Sequence, residues 1–385
     1  MQISYRTCRS YGTHLLSGVL IACSSPGDPS SSGVNRDEWS TPAPRLWGTP
    51  AVDDARIYVG TMGGQLVAID RRSHRIAWTA TTAQGTFRTA LAGVVLSDSI
   101  VVVADGELFA YRTTTGAALW AYYPDDLGAA GVFGIASDGR TIYTGSNNGS
   151  VYAVDIHTGA EVWKTVIEKR VEGVSVFGPV VTDAAIITGY KVFTNPTTGG
   201  VVALDRATGA LRWRRTFDPD VPGHPSGVST VPAAAGNTVI IPNDDGRVFA
   251  LSAQDGAVLW IAPRLPELQG TTDLRYPATS GGMALVGSLA GAVSAYDQVS
   301  GALRWKRQLF LGAIAFPLVA DSGSVYVESL NGQLLSIRLS DGEVNYVLGM
   351  LPNGQEGPYN PNPIVVADTL FVPGVAAMYK VLKRR

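Results

Sequence analysis

Hydrophobic and polar residues alternate with a period of two in many short segments of this chain. One segment shows the two interleaved sets clearly: Leu66, Ala68 and Asp70 alternate with Val67 and Ile69. Successive side chains of a β-strand point to opposite faces of a sheet, so this pattern predicts a strand. A Thr-Gly or Asp-Gly pair follows several of these segments and predicts a hairpin turn. The pattern therefore favours an all-β fold.

The segments belong to a unit that repeats about every 45 residues. In each copy an aromatic residue lies 14 positions after the first glycine of the unit. The clear copies run from Gly64 to Trp78, Gly149 to Trp163, Gly199 to Trp213 and Gly291 to Trp305. Looser copies run from Gly106 to Trp120, Gly246 to Trp260 and Gly332 to Tyr346. This regular spacing predicts that every unit adopts the same structure.

Each unit supplies four antiparallel strands. The glycine segment gives the third strand and the tryptophan segment gives the fourth, while another pair of strands lies upstream of them. Four-stranded antiparallel sheets repeated in this way are the blades of a β-propeller. The upstream pairs begin near Pro50, Ala90, Gly134, Pro179, Pro232, Pro277, Pro317 and Pro363. The sequence therefore predicts an all-β, eight-bladed β-propeller.

The last unit lacks a tryptophan strand. It runs from Pro363 to Val381 and contains Gly374, but no tryptophan follows. We expect the missing strand to come from the N-terminal side, around Trp39. Such a pairing closes the ring and removes two exposed sheet edges. The predicted propeller domain therefore spans residues 38–385.

The N-terminal segment predicts a signal peptide and attachment to a membrane. Arg6 and Arg9 precede a mostly apolar stretch that ends at Cys23. The arrangement resembles a bacterial lipoprotein signal, in which a peptidase cleaves before the cysteine and a lipid is attached to it. The resemblance implies a signal peptide over residues 1–22 and a flexible tether over residues 23–37. A plain secretory signal and an interfacial helix are the alternatives.

The residue after the cysteine bears on the choice of membrane. Ser24 stands there rather than an aspartate. This resembles the signals that direct bacterial lipoproteins to the outer membrane, where we expect the chain to face the periplasm.

Composition narrows the classes of function. The chain has 385 residues, 44 glycines and a formal net charge of −2, so it lacks the positive charge of a nucleic-acid-binding protein. The two cysteines are Cys8 and Cys23, and removal of the signal peptide leaves no pair for an internal disulfide. The histidines show no zinc spacing, and no catalytic or phosphate-binding motif occurs. We expect no metal, no cofactor and no catalytic residues.

Three acidic pairs stand beside small residues in contexts typical of turns. They are Asp53 with Asp54, Asp125 with Asp126, and Asp244 with Asp245. Aspartate favours such places because its carboxylate accepts hydrogen bonds from the local backbone. We therefore interpret all three pairs as solvated turns rather than metal ligands.

The repeat resembles a known family of propellers. The pattern Ala-x-Asp-x-x-Thr-Gly-x-x-x-Trp, complete from Ala153 to Trp163 and from Ala203 to Trp213, is similar to the docking motif of PQQ-like (quinoprotein-type) propellers. The resemblance implies that each aromatic residue packs between neighbouring blades and helps to fix the ring. The structural docking residues would be Trp39, Trp78, Trp120, Trp163, Trp213, Trp260, Trp305 and Tyr346.

The whole chain, with its lipoprotein signal, tether and eight units, resembles the BamB family. That resemblance implies a non-enzymatic scaffold that binds the periplasmic domains of BamA in β-barrel assembly. Two partner-contacting loops of the family carry an arginine and two aspartates. The corresponding stretches here, residues 172–178 and 226–231, lack them, and the nearest acid–base pair is Asp273 with Arg275.

Three longer loops, residues 122–131, 217–227 and 263–276, interrupt the repeat. Loops and aromatic or arginine side chains are frequent in protein interfaces. The predicted partner-binding residues are Tyr122, Tyr123, Phe177, Asp273 and Arg275. Simple variation in loop length is the alternative interpretation.

Two other functions remain open at this point: a general binding propeller of the cell envelope and a quinone-dependent enzyme or sensor. We expect a monomeric ring that binds envelope proteins, reaches the membrane through the lipid on Cys23, and binds no nucleic acid.

Overall fold

The computed structural model describes most of the chain from residue 40 to residue 382. The described residues are 40–43, 46–81, 93–124, 132–169, 173–194, 196–219, 222–264, 274–309, 314, 317–328, 334–348, 363–374 and 377–382. The chain divides into two compact units, Met1–Ser32 and Gly33–Arg385, and every described residue lies in the second. Cys23, Trp39, Asp125, Asp126 and Asp273 lie outside the described residues.

The described residues form strands and turns, with no helix among them. None of them therefore offers a helical segment of the length and hydrophobicity that a membrane span requires. The first strand is β1, Ser40–Pro42. Sheet 1 comprises β2 Leu46–Val52, β3 Arg56–Thr61, β4 Gln65–Asp70 and β5 Ile76–Thr81. Sheet 2 comprises β6 Val94–Ser97, β7 Ile100–Asp105, β8 Glu107–Arg112 and β9 Ala118–Tyr122.

The next sheets follow in chain order. Sheet 3 comprises β10 Val132–Ser137, β11 Thr141–Ser146, β12 Ser150–Asp155 and β13 Glu161–Val166. Sheet 4 comprises β14 Val174–Val176, β15 Val180–Val181, β16 Ile186–Val192, β17 Thr198–Leu204 and β18 Leu211–Thr216. Sheet 5 comprises β19 Ala233–Ala235, β20 Thr238–Pro242, β21 Val248–Ser252 and β22 Val258–Ala262.

The remaining strands complete three more sheets. Sheet 6 comprises β23 Leu274–Ser280, β24 Met283–Ser288, β25 Ala292–Asp297 and β26 Leu303–Gln308. Sheet 7 comprises β27 Val319–Ala320, β28 Ser324–Glu328, β29 Leu334–Arg338 and β30 Val344–Leu348. Sheet 8 comprises β31 Ile364–Val366, β32 Thr369–Pro373 and β33 Ala377–Leu382, with β1 paired to its last strand.

Each sheet is an antiparallel meander, and its two ends therefore carry different connections. The turns between the first and second strands and between the third and fourth strands lie at one end, here called the turn end. The hairpins between the second and third strands, and the connections to the next sheet, lie at the other end, here called the loop end. The long loops of the sequence belong to the loop end.

The pairing between the two ends of the chain that the sequence predicts is present. β1 lies antiparallel to β33, with Ser40 opposite Tyr379 and Pro42 opposite Ala377. In sheets 1 to 6 the tryptophan of the fourth strand is paired with an alanine of the third, as Trp163 is with Ala153.

Indole groups connect neighbouring sheets at the turn end. In six cases the indole N–H donates to a backbone carbonyl oxygen of the following sheet, at 2.7–3.0 Å: Trp78 to Thr113, Trp120 to Ile156, Trp163 to Arg206, Trp213 to Ala253, Trp260 to Gln298 and Trp305 to Leu339. Each indole ring lies on a turn glycine with positive φ: Gly116, Gly159, Gly209, Gly256, Gly301 and Gly342. A Cβ on any of these glycines would lie only 2.5–2.7 Å from the ring. Glycine is needed there for both the backbone conformation and the close packing.

The hydrophobic core lies between the sheets rather than in one central mass. Each of the eight clusters of buried apolar residues joins two sheets that are consecutive in chain order, except the one that joins sheet 8 to sheet 1. The middle strands are buried on both faces, and β7 is buried along its whole length. The chain is therefore an all-β protein of propeller type, with its sheets packed face to face.

Candidate partner-binding site

The loop end of sheets 3 to 5 carries a network of buried ion pairs and hydrogen bonds. Sheet 4 has an additional short strand, β14, which pairs with the far part of β16: Val174 lies opposite Val192 and Val176 opposite Tyr190. β14 also forms a bridge to sheet 3, between Asn148 and Val174. This strand therefore fixes the connection between the two sheets at the loop end.

Phe177, one of the predicted partner-binding residues, directly follows β14. Its backbone N–H donates to the Gly189 carbonyl oxygen at 2.9 Å, and its own carbonyl oxygen accepts from the Thr188 hydroxyl at 2.6 Å. A Cβ at Gly145 would collide with the same carbonyl oxygen, so the neighbouring sheet approaches this backbone closely. The Phe177 side chain is half-buried. Its position is therefore set by the backbone of two sheets.

The hairpin between β20 and β21 carries a buried carboxylate. The Asp244 side chain is 3% exposed and forms an ion pair with Lys191 Nζ at 2.9 Å. Ser229 Oγ donates to the same carboxylate oxygen at 2.8 Å, and the Asp244 N–H donates to the Gly227 carbonyl oxygen at 2.8 Å. A buried charge is tolerated when an opposite charge and hydrogen bonds compensate for lost hydration. Asp244 thus ties sheet 5 to β16 and to the 222–231 segment.

A second ion pair lies beside the first. Asp245 is fully buried, and Arg247 Nε donates to its carboxylate at 2.7 Å. Arg247 also donates to the Asp218 carbonyl oxygen. Arg264 Nε donates to the Asp245 carbonyl oxygen at 2.8 Å, and another guanidinium nitrogen of Arg264 lies 2.5 Å from His224 Nδ1. Two arginines of sheet 5 therefore hold both flanks of the 217–227 loop.

The interpretation of Asp244 and Asp245 as a solvated turn is wrong. The returning 222–231 segment covers the hairpin and excludes water from both carboxylates. The same interpretation is correct for Asp53, whose carboxylate accepts the N–H groups of Ala55 and Arg56 at 2.8 and 2.6 Å. Asp54 beside it is exposed. The two pairs lie in different turns: Asp53 follows the first strand of sheet 1 at the turn end, and Asp244 follows the second strand of sheet 5 at the loop end, where the 222–231 segment packs over it.

Two buried polar side chains of the loop end have atoms without a hydrogen-bond partner among the described residues. The amide oxygen and nitrogen of Asn243 are both unpaired, and so is one carboxylate oxygen of Glu328. Burial raises the pKa of the Glu328 carboxyl well above its ordinary value. Both residues follow or end the second strand of their sheets, where Thr61 and Ser288 instead cap the hairpin backbone.

The predicted tyrosines lie at the loop end of sheet 2 and differ in exposure. Tyr122 is 8% exposed, and its hydroxyl donates to the Glu161 carboxylate of sheet 3. Tyr123 is 49% exposed, and its ring meets Phe109 edge to face at 5.9 Å. Tyr122 therefore joins two sheets, whereas Tyr123 is accessible to a partner.

Other predicted residues have only their backbone described. Arg275 lies in β23, opposite Gly287, and Tyr346 lies in β30, opposite Ser336. The predicted partner-binding residues that are described come from sheets 2, 4 and 6. They lie on three sheets that are not consecutive in chain order, so the structure does not place them on neighbouring strands.

The sequence reasoning missed Lys191, Ser229, His224 and Arg264 as members of one network. A signal was present: two adjacent acids precede Gly246 in this hairpin, whereas two asparagines precede Gly149 in the equivalent hairpin of sheet 3. Because the charges of this network compensate each other, its side chains are suited to holding the surrounding segments in a fixed position. In the described part of the chain, no three His, Cys, Asp or Glu side chains are arranged to hold a metal ion.

Comparison with known proteins gives one family. A family model described as outer membrane protein assembly factor BamB matches residues 30–135, 126–276 and 267–377. Among curated proteins, the outer membrane protein assembly factor BamB of Yersinia pestis is 28% identical over 218 residues, which is 55% of this chain and 51% of that protein. The chain spans about half the length of several curated relatives that it matches.

Solved structures agree on the fold. BamB from Moraxella catarrhalis aligns with a TM-score of 0.64 and 18% identity, covering 87% of this chain and 94% of that chain. Quinohemoprotein alcohol dehydrogenase from Comamonas testosteroni aligns with a TM-score of 0.68 and 14% identity, covering 90% and 76%. At these identities the likeness is one of fold.

Proposed function

This chain belongs to the BamB family of outer membrane protein assembly factors, and from that premise we propose that it is a non-enzymatic scaffold of the bacterial cell envelope. It binds partner proteins during the assembly of outer-membrane β-barrel proteins. The observation that carries this proposal is the family match, which extends from residue 30 to residue 377 in three stretches.

We propose that the scaffold is a closed ring of eight blades. Sheets 1 to 8 are the blades, β1 completes the last one, and the aromatic residues of the repeat dock each blade onto the next. The succession of eight inter-sheet clusters, including one between sheets 8 and 1, supports this arrangement. The six indole–carbonyl hydrogen bonds support the docking role. Trp39 and Tyr346 take the equivalent positions in the two remaining blades.

The membrane attachment is part of the same proposal. Residues 1–22 are a lipoprotein signal peptide, Cys23 carries the lipid, residues 23–37 are a tether, and residues 38–385 form the propeller. The mature protein is anchored in the outer membrane and faces the periplasm. Metabolic labelling with palmitate tests this: we expect label on the wild type and none on Cys23→Ser, and equal labelling of both would exclude the lipid.

We propose that the loop end is the partner-binding surface. Tyr123, Phe177, Asp273 and Arg275 contact the partner, and Tyr122 supports them from sheet 2. The Asp244 network holds the 217–227 loop in a fixed position beside them. The partners are envelope proteins, and periplasmic domains of the BamA type are the first candidates. The ring is monomeric and holds no metal or cofactor.

The direct test is capture of a BamA-type protein from solubilised envelopes with three tagged proteins: wild type, Tyr123→Ala and Val299→Ala. Val299 is a matched control, because it is a large exposed apolar residue at the turn end. We expect Tyr123→Ala to capture less than a third of the wild-type amount and Val299→Ala to capture all of it. Equal capture by the two variants would move the binding surface away from the loop end.

A quinone-dependent enzyme is the second candidate, because a quinohemoprotein alcohol dehydrogenase shares the fold. Fold alone does not decide function. We expect no dye reduction when the purified protein receives pyrroloquinoline quinone, Ca²⁺ and alcohols or sugars. Clear turnover in that assay would replace the scaffold proposal.

A further inference from the structure

The turn between β4 and β5 differs from every equivalent turn in the chain. It reads Asp70-Arg71-Arg72-Ser73-His74-Arg75, whereas the turns of sheets 2 to 7 contain at most one arginine and end in glycine. His74 occupies the glycine position with φ at 61°, and its N–H donates to the Asp70 carbonyl oxygen as the glycine N–H does elsewhere. The backbone of the turn is thus retained while its side chains become basic.

The cations of this turn face solvent. Arg72 and Arg75 are exposed, and neither has a carboxylate within ion-pair distance among the described residues. Arg71 is held in place: Nη1 donates to the Asp53 carbonyl oxygen at 2.6 Å, and its guanidinium lies 5.5 Å from the centre of the Phe371 ring. Two arginines are therefore available to a ligand, and a third positions the turn.

The neighbouring carboxylates are mostly engaged in their own turns. Asp70 accepts the N–H groups of Arg72 and Ser73 and the Ser73 hydroxyl. These three bonds all end on Oδ1, and they lower the pKa of Asp70 below its ordinary value. Asp53 accepts two backbone N–H groups and the Tyr58 hydroxyl. Of the nearby acids, Asp54 alone is exposed to solvent without a bond of this kind among the described residues.

The strand that follows the turn is uncharged. β5 reads Ile-Ala-Trp-Thr-Ala-Thr, and Ile76 is exposed beside the two arginines. Of the equivalent strands, β9, β22 and β30 are also uncharged, whereas β13, β18 and β26 carry eight charged residues between them, so the basic turn is what sets sheet 1 apart. A basic turn followed by an uncharged outer strand matches a membrane interface, where cations meet headgroups and an apolar side chain enters the boundary region.

The turn also lies beside the point where the N-terminal segment enters the fold. β1 runs from the turn end towards the loop end, because it is antiparallel to β33. β1 therefore begins at the turn end of sheet 8, and Arg71 stacks on Phe371 of that sheet. In sequence, three more cations, Lys383, Arg384 and Arg385, follow Leu382, the last residue of β33.

From these observations we propose that the turn Arg71–Ile76 is a docking site for an anionic phospholipid surface, with Arg72 and Arg75 contacting the headgroups. The inference rests on the proposed lipid anchor in one respect. A tether at the same end of the sheets keeps the membrane close to the turn, so that even a weak contact between the turn and the headgroups forms most of the time. The contact orients the ring on the membrane and leaves the loop end free for protein partners.

The test uses a purified chain that starts at Ser24, which carries no lipid and retains every described strand. It is mixed with vesicles of phosphatidylcholine alone or with about 30% phosphatidylglycerol, and bound protein is measured by sedimentation. We expect binding to the anionic vesicles that falls steeply with salt, and little binding to the neutral ones. Each cation near an anionic surface contributes about a factor of five, so Arg72→Ser with Arg75→Ser should weaken binding about 25-fold.

The matched control is Arg140→Ser with Lys169→Ser. Both residues are exposed, neither forms an ion pair among the described residues, and the change in net charge is the same. We expect the control to lose less than fivefold, and circular dichroism checks that both variants are folded. Equal losses in the two variants, or equal binding to neutral and anionic vesicles, would overturn the proposal. The vesicle experiment contains no partner protein and no lipid anchor. Its outcome is therefore independent of the proposed function, which the capture experiment tests separately.

Discussion

The boundary between sheets 3 and 4 and the boundary between sheets 8 and 1 use the same register positions with different chemistry. In the first, the Trp163 indole and the Tyr143 hydroxyl both donate to the Arg206 carbonyl oxygen, at 3.0 and 3.3 Å. Asp138 accepts from both Tyr143 and Arg206, and Gly209 lies under the indole ring. Polar and apolar contacts therefore reinforce each other at one point.

At the boundary of sheets 8 and 1, the equivalents of these groups have changed. Phe371 stands where Tyr143 stands in sheet 3, Val366 stands where Asp138 stands, and His74 replaces the turn glycine. Arg71 takes the place of Arg206 and stacks on Phe371 instead of pairing with a carboxylate. In the six described joints the indole ring lies 2.5–2.7 Å from the Cβ position of a glycine, whereas position 74 carries a side chain. The comparison indicates that the joint made by the two chain ends is the weaker one.

The largest expected effect on stability comes from removing the tryptophan side chain at each of the two boundaries. Trp163→Ala should lower the free energy of unfolding by about 3–5 kcal/mol, because it deletes a buried aromatic side chain and its hydrogen bond. Trp39→Ala should cost less than half of that. Urea denaturation of both variants measures the difference. Equal losses would mean that the joint of the chain ends is docked as tightly as the others.

The next effect concerns the turn glycine. Gly209→Ala should destabilise the protein by about 2–4 kcal/mol, since it places a side chain at φ of 70° and pushes a Cβ against the Trp163 ring. Gly223→Ala is a useful control, because that glycine also has positive φ but nothing within 4 Å of its Cβ position. Gly223→Ala should show only the destabilisation that comes from placing a side chain at positive φ, without the contribution of the clash with an indole ring. Thermal unfolding of the two variants compares them directly.

A pH-dependent effect tests the polar part of the sheet 3–4 boundary. Hydrogen bonds from Arg206, Thr141, Arg140 and Tyr143 outweigh desolvation and lower the pKa of Asp138 to about 2. Its stabilising contribution is therefore present above about pH 4, where the unfolded carboxyl is ionised, and is lost as the pH falls towards 2. We expect Asp138→Asn to cost about 1–2 kcal/mol at neutral pH and nothing near pH 2. Urea denaturation of the wild type and Asp138→Asn at several pH values measures the difference between their free energies of unfolding. If that difference did not shrink in acid, it would come from packing rather than from the charge of Asp138.

The smallest effect has the opposite sign. His74→Gly should stabilise the protein by about 0.5 kcal/mol. Glycine adopts φ of 61° without the strain that a side chain adds, and this gain is partly offset because glycine loses more backbone entropy on folding. Hydrogen–deuterium exchange at β1 and β33 should slow in the same variant. A destabilised variant would show that the His74 side chain makes contacts that the glycine cannot replace.

Much of this fold follows from the sequence because its determinants are local and repeated. The spacing of Gly149 and Trp163 recurs in the other units, and each copy forms the third and fourth strands of a sheet as expected. The pairing of β1 with β33 also followed, from the missing strand of the last unit. Repeats make a non-local pairing predictable, because seven complete copies define what the eighth lacks.

The charged network of the loop end did not follow, for a physical reason. Asp53 and Asp244 both precede an acid and lie in turns, but they occupy different turns of their sheets, and a distant segment packs over Asp244 alone. The 222–231 segment buries Asp244 and brings Lys191 and Ser229 to it from other parts of the sequence. Burial of a charge is a tertiary property, and the residue types flanking the charge do not encode it. His74 could have been noticed, since a glycine is visibly missing from one turn of a regular series.

The pairing of β1 with β33 also has a consequence in time. Ser40 and Tyr379 are 339 positions apart, so the first strand to leave the ribosome is among the last to find its partner. Contacts between such distant residues form slowly, because a long loop must close before any contact is gained. Until then both chain ends expose unpaired strand edges, which invite association with other chains. A newly made molecule should therefore pass through a nearly complete but open intermediate, and it is in this interval that it most needs protection from aggregation.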